Sequence, residues 1–238
     1  VPDMKRRCFL HTASALLGVF AMGSSARAGA TPEKEDVLMN GGQLLPDTAK
    51  RFSVEKNDVI FIFADLHPGL INTSKTMPPE SLAANVGGLA KVAKAVSAPS
   101  FFLTVTQNGR PGELVSSLSG YASAENTIFR KTADPFQVKE LTDAIHRTGR
   151  KTLVVSGYTA EVAVLLTALG GLRNGYHVYI PVDCIGSRSS RTEDAVLKQA
   201  EQAGGIVTSL SSVSAQLAPD FSQEPGKTIL SVIASVRV

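Results

Sequence analysis

Residues 58–65, Asp-Val-Ile-Phe-Ile-Phe-Ala-Asp, decide the fold. The run from Val59 to Phe63 is wholly β-branched or aromatic, with no polar residue to give one wet face. It therefore predicts a strand buried on both sides, as in parallel sheets whose crossovers are helices. Outward from it, Leu82, Val86, Leu89, Val92, Ala93 and Val96 share one helical face between Pro78-Pro79 and Pro99, which predicts a helix over 80–97. Phe101–Thr106 reads as a strand, 108–112 as a turn, Thr127–Lys131 as a short strand and Pro135–Arg147 as a helix. Further strands are expected at Lys151–Ser156, Tyr176–Val182 and Ile206–Leu210, with helices at Glu161–Arg173 and Arg191–Gln202. The apolar tail Thr228–Val236 has no period that separates a strand from an oligomer contact. Strand and helix alternating five times predict one α/β domain, a three-layer α/β/α architecture with a mostly parallel sheet. In such sheets a ligand binds beyond the carboxyl ends of the strands.

The formal charge of +3, from 24 Lys and Arg against 21 Asp and Glu, suggests a polyanionic partner until the charges are located. Lys5, Arg6 and Arg7 precede an apolar stretch from Phe9 to Met22 and then Ala26-Arg27-Ala28. This is the layout of a secretory signal, and Arg6-Arg7-Cys8-Phe9-Leu10 is similar to the twin-arginine type. The expectation is an export signal over 1–28, with Val1-Pro2-Asp3 ahead of the start at Met4, then a polar arm over 29–55 and a domain over 56–238. Cleavage after Ala28 would remove Lys5, Arg6, Arg7 and Arg27 with Asp3, leaving equal numbers of basic and acidic residues. The mature protein is thus expected to be periplasmic or secreted, with no nucleic-acid partner and no membrane association after cleavage. Cys8 would leave with the signal, so Cys184 has no intrachain partner and reads as a small buried apolar residue.

Three segments at the ends of predicted strands are candidates for chemistry: Asp65 to Leu70, Lys131 to Phe136 and Gly157 to Val164. Taken singly each has a plainer reading. Asp65 can cap a turn, Lys131 can be a solvated edge charge, His67 can be polar surface, and Glu161 can stabilise a helix start. Gly170-Gly171-Leu172-Arg173-Asn174-Gly175 lacks the spacing of a dinucleotide loop and reads as a helix stop. The sequence contains no P-loop, H-E-x-x-H, paired-Cys zinc pattern or G-x-S-x-G elbow, so neither a cofactor nor a metal is expected.

In order and spacing these segments resemble the isochorismatase-like cysteine hydrolases, which include nicotinamidases and N-carbamoylsarcosine amidases. The matching stretches are Asp65 to Leu70, Lys131 to Phe136, Gly157 to Val164, Gly175-Tyr176-His177-Val178 and Asp183-Cys184-Ile185-Gly186-Ser187. The likeness spans roughly residues 56 to 220. It implies an isochorismatase-like fold, a small-molecule substrate, a homo-oligomer, Asp65 as general base and Lys131 as the cation that stabilises a thiolate or oxyanion. His67, Tyr158, Thr159 and Phe136 are then expected to line the substrate.

At the nucleophile position, where the family carries Cys, this chain carries Ala163. Alanine has no atom that attacks a carbonyl. Three readings follow from the resemblance. In the first the chain is a hydrolase of a small amide, carbonyl or enol ether without standard Cys-dependent amidase activity. Asp65 then serves as acid and backbone N–H groups around residue 163 serve as an oxyanion hole. The second is an inactive binding or scaffold protein of the same fold, and the third a Cys-to-Ala variant of an active enzyme.

Overall fold

The computed structural model describes residues 52–238. The export signal expected over 1–28 and nearly all of the arm expected over 29–55 lie outside the described residues. Of the arm's last residues, Val54 is buried, and its N–H donates to Gln216 Oε1 at 2.9 Å.

The chain first forms β1 (Val59–Ala64), a short α1 (Pro68–Ile71) and α2 (Pro79–Ala95), then β2 (Ser100–Thr104). A hairpin of β3 (Thr106–Gln107) and β4 (Arg110–Pro111) leads to α3 (Ser116–Ser119) and β5 (Thr127–Phe129). The helix expected over 135–147 is broken at Val138 into one 3₁₀ turn (Pro135–Gln137) and α4 (Lys139–Arg147). Next come β6 (Thr152–Tyr158), a π turn (Ala160–Val164), α5 (Leu165–Arg173), β7 (His177–Pro181) and β8 (Ile185–Gly186). The chain closes with α6 (Ser190–Gln202), β9 (Ile206–Thr208), α7 (Leu210–Leu217) and α8 (Gly226–Ile233).

The main sheet runs β5-β2-β1-β6-β7-β9, with β8 beside the end of β6, and every pairing in it is parallel. Successive side chains of a strand point to opposite faces, and β1 feeds both. Val59, Phe61 and Phe63 enter one core with residues of α2, α7 and α8, while Ile60, Ile62 and Ala64 enter the other with residues of α4, α5 and α6. This is the expected three-layer α/β/α arrangement. Among the described residues no helix is long and apolar enough to cross a membrane.

Two elements differ from the sequence reading. The strand expected to reach Leu210 stops at Thr208, because Ser209 accepts from Ser212 N–H and starts α7. The apolar tail is helical: Ile229 and Val232 of α8 are buried in the first core, and Leu230 is exposed. Buried Asn85 fastens this tail, donating to the Asp183 and Arg237 carbonyls at 2.8 Å each and accepting from Arg237 N–H at 2.9 Å.

The topology also sets where a site can form. From β1 the chain steps to β2 and β5 on one side, then returns to β6 on the other. Strand order therefore reverses between β1 and β6, where crossovers leave in opposite directions and open a crevice at the carboxyl ends. Ala64 pairs with Gly157 at that edge. A Cβ on Gly157 would collide with the Ala64 carbonyl oxygen, so glycine is what allows the two strands to close at the crevice floor.

Candidate active site

Asp65 leaves β1 with φ 56°, a left-handed conformation that Asp tolerates better than most residues. Its N–H donates to Leu103 O at 3.0 Å and its carbonyl accepts from His67 N–H at 2.9 Å, so the turn is fixed by the backbone. The side chain is buried. Oδ2 is ion-paired with Arg130 Nη2, while Oδ1 meets no protein partner. Burial raises the carboxyl and the Arg130 charge opposes that, leaving it pushed up to about 6.

The cation is Arg130, which corrects the expectation for Lys131. Strand β5 ends at Phe129, and the following two side chains diverge: Arg130 is 3% exposed, whereas Lys131 lies on the surface. Arg130 N–H donates to Thr104 O at 2.9 Å, and its Nη1 donates to the carbonyls of Thr132 and, at 3.2 Å, Ala133. Its Nε meets no protein partner. A guanidinium keeps its charge when buried, so it needs this set of acceptors.

Ala163 sits within the π turn, its methyl buried in the second core alongside Ala64, Ala160 and Val164. The adjoining Tyr158–Thr159 peptide is cis. The neighbouring amides are not open to an oxyanion: Thr159 O accepts from Val162 N–H at 3.3 Å and Val164 N–H at 3.2 Å. The oxyanion hole expected from the N–H groups around residue 163 thus loses these two donors. Cys184 is buried at another strand end, its thiol raised well above the usual range by burial and then by Asp183, so it supplies no nucleophile.

The four residues expected to line the substrate have other duties. His67 Nε2 accepts from Val105 N–H at 3.2 Å, so Nδ1 carries the proton and donates to Glu113 O at 2.8 Å. Burial first, and Arg130 second, lower the tendency of this ring to protonate, against the Glu113 bond. His67 is therefore a neutral brace that ties the turn after β1 to the 105–113 segment. Tyr158 is buried in the first core with its hydroxyl on Thr73 Oγ1 at 2.7 Å. Thr159 is half-buried, and its carbonyl accepts from the Val162 and Val164 N–H groups of the π turn. Phe136 packs against Tyr176, ring centroids 6.1 Å apart, and over Gly170.

A cleft of about 440 Å³ is lined by His67 itself, as expected for that residue, together with Gly69, Gln107, Asn108, Arg110 and Glu113. The sequence reading saw only a turn there, although Gln107 and Arg110 are polar residues just past a strand end. Among the described residues, no group of three or more His, Cys, Asp or Glu side chains is placed to hold a metal ion.

Residues 59–212 match the isochorismatase domain family. The chain belongs to that family. It is 25% identical over 169 residues to the probable hydrolase YcaC of Escherichia coli K12, covering 71% of this chain and 81% of that protein. The crystal structure of Escherichia coli YcaC, an octameric hydrolase of unknown specificity, superposes with a TM-score of 0.69 at 24% identity, covering 77% of this chain and 88% of that one. YcaC from Pseudomonas aeruginosa, with hexane-2,5-diol and covalent acrylamide, gives 0.72 at 24% identity, over 77% and 91% of the two chains. These structures share the isochorismatase-like fold with the chain.

The brace assigned to His67 has a stability signature. His67→Ala strands the Val105 N–H and the Glu113 carbonyl and opens a void, so urea denaturation should show a loss of about 2–4 kcal/mol. A histidine serving only to contact substrate would leave stability within about 0.5 kcal/mol.

Proposed function

We propose that the chain is an isochorismatase-type hydrolase that works by acid catalysis, without a covalent thiol step, on a small enol ether. The observation that carries this reading is the pairing of a buried Asp65, its carboxyl pushed up to about 6, with Arg130, and what supports it is alanine at residue 163, where the resemblance implies a Cys. Asp65 Oδ1 has no protein partner, which makes it the oxygen available for proton transfer.

The chemistry follows from those groups. Protonated Asp65 gives its proton to the terminal carbon of the C=C bond, leaving an oxocarbenium cation on the substrate and a carboxylate on the protein. Arg130, already on Oδ2, stabilises that carboxylate. Water adds to the cationic carbon and its proton returns to Asp65. The resulting hemiketal collapses to a ketone and an alcohol. No protein–substrate bond forms, so Ala163 obstructs nothing. The cleft between His67 and the β3–β4 hairpin offers Arg110, Gln107 and Asn108 to the polar end of such a substrate.

The reading includes export directed by residues 4–28 and assembly into a homo-oligomer. The octameric state of Escherichia coli YcaC supports the latter, together with Val162, Val182 and Leu230, large apolar side chains left exposed on this protomer.

The active form is the protonated one. Its population falls as pH rises through the folded midpoint of about 6, so kcat/KM on an enol ether should be flat below pH ~5 and drop about tenfold per unit well above 6. Asp65→Asn should cost about 10²–10⁴-fold; undiminished turnover in that variant would remove Asp65 as the acid.

A binding or scaffold protein of the same fold is the competing reading, and it rests on Ala163. The Pseudomonas aeruginosa relative carries covalent acrylamide. Ala163→Cys should therefore become labelled by acrylamide at residue 163, seen as a mass shift, while the parent chain is not labelled there. If the variant stays unlabelled, residue 163 does not occupy a nucleophile position. A labelled variant combined with a parent chain inert toward enol ethers favours the scaffold.

A further inference from the structure

The Arg130 guanidinium is aimed at Asp65 by the loop that follows it, and that loop is itself anchored at a distance. Two of the loop's carbonyls, those of Thr132 and Ala133, accept from Arg130 Nη1. The next residue, Asp134, closes the loop on itself: its carbonyl accepts from Thr132 Oγ1 at 3.1 Å and its Oδ1 accepts from Phe136 N–H at 2.9 Å. Asp134 Oδ2 is ion-paired with Arg173 Nη2 in the last turn of α5. The loop thus hangs between the buried pair and the helix that follows Ala163.

The seat for this anchor is Gly170. A Cβ there would lie 2.6 Å from Phe136 Cδ2 and 2.9 Å from Asp134 Oδ1, so the glycine lets the loop lie directly on α5. Gly171 serves the other side of the helix, where a Cβ would meet Leu153 at 2.7 Å and Val178 at 3.0 Å. The Gly-Gly pair lies inside α5 and is a docking notch, while the helix stop expected over 170–175 falls after Arg173, with Asn174 as cap and Gly175 at φ 77°. An exposed ion pair alone contributes little. The Asp134 side chain, however, is only 13% exposed and holds two partners at once.

We propose that Asp134 and Arg173, seated on Gly170, form a strut that holds Arg130 against Asp65, which makes both of them positioning residues for the site proposed above. Neither touches the reacting atoms. They act through two backbone carbonyls on the orientation of one guanidinium. The inference rests on the Asp65–Arg130 assignment, but its test requires no turnover.

The test follows the Asp65 carboxyl by ¹³C NMR in protein labelled at Asp Cγ, with the resonance assigned by its loss in Asp65→Asn. The charged group facing Asp65 is Arg130, and the nearby His67 is neutral. Asp134→Ala and Arg173→Ala should each raise the Asp65 midpoint by ~0.5 pH units or more, since Arg130 then screens the carboxylate less well. Arg173→Lys, which keeps a charge for Asp134, should restore most of the parent midpoint. The Arg173 side chain is 57% exposed, so its replacement leaves the fold intact even where Asp134→Ala does not. A midpoint unchanged in folded Arg173→Ala, even with lowered thermal stability, would reduce the strut to a structural contact and overturn the proposal. Loss of enol-ether activity plays no part in this reading, so a protein without that activity still confirms or rejects the strut.

Discussion

A guanidinium with 2% of its side chain exposed and a carboxylate with 7% are held together at the carboxyl edge of a parallel sheet. Arginine cannot discharge on burial as lysine or histidine can, so the fold has to supply its acceptors. Two segments do so for Arg130 at the end of β5: the turn after β1 brings Asp65, and the loop that follows Arg130 brings the carbonyls of Thr132 and Ala133. Burying such a pair is costly in water-to-protein transfer and is tolerated where it performs a task. Here the result is a carboxyl pushed up to about 6, with one oxygen held and the other buried without a protein partner.

The surrounding structure serves that placement. Reversal of strand order between β1 and β6 opens the crevice, and Gly157 lets the two strands meet beneath it. The π turn widens the start of the following helix and places Ala163 there. His67 then locks the hairpin segment to the same turn with both ring nitrogens. A small methyl at residue 163 packs in the second core without disturbing any of these contacts.

Much of this was legible from residue order. The run from Val59 to Phe63 specified a doubly buried strand, and Asp65 at its end was singled out by position alone. Other features were not legible, for local reasons. Arg130 and Lys131 are adjacent cations, and which one turns inward depends on where β5 stops, which no periodicity reveals over three residues. The bracing role of His67, beside its place on the cleft, was hidden because its two partners are backbone groups 38 and 46 residues away. The resemblance implies Phe136 at the substrate, whereas its seat on Gly170 and Tyr176 depends on how a distant helix docks. Ser209 began a helix in what read as the continuation of a strand.

The account stands on the coupling between Asp65 and Arg130, which a double-mutant cycle measures directly. Urea stability would be determined at pH 8 for the parent, Asp65→Asn, Arg130→Gln and the double variant. Each single change strands one buried partner, so the double variant should lose less than the sum of the two by about 2–3 kcal/mol. At pH 4, where Asp65 is protonated, the coupling should shrink. Losses that add to within about 0.5 kcal/mol at pH 8 would show two independent side chains and contradict the account.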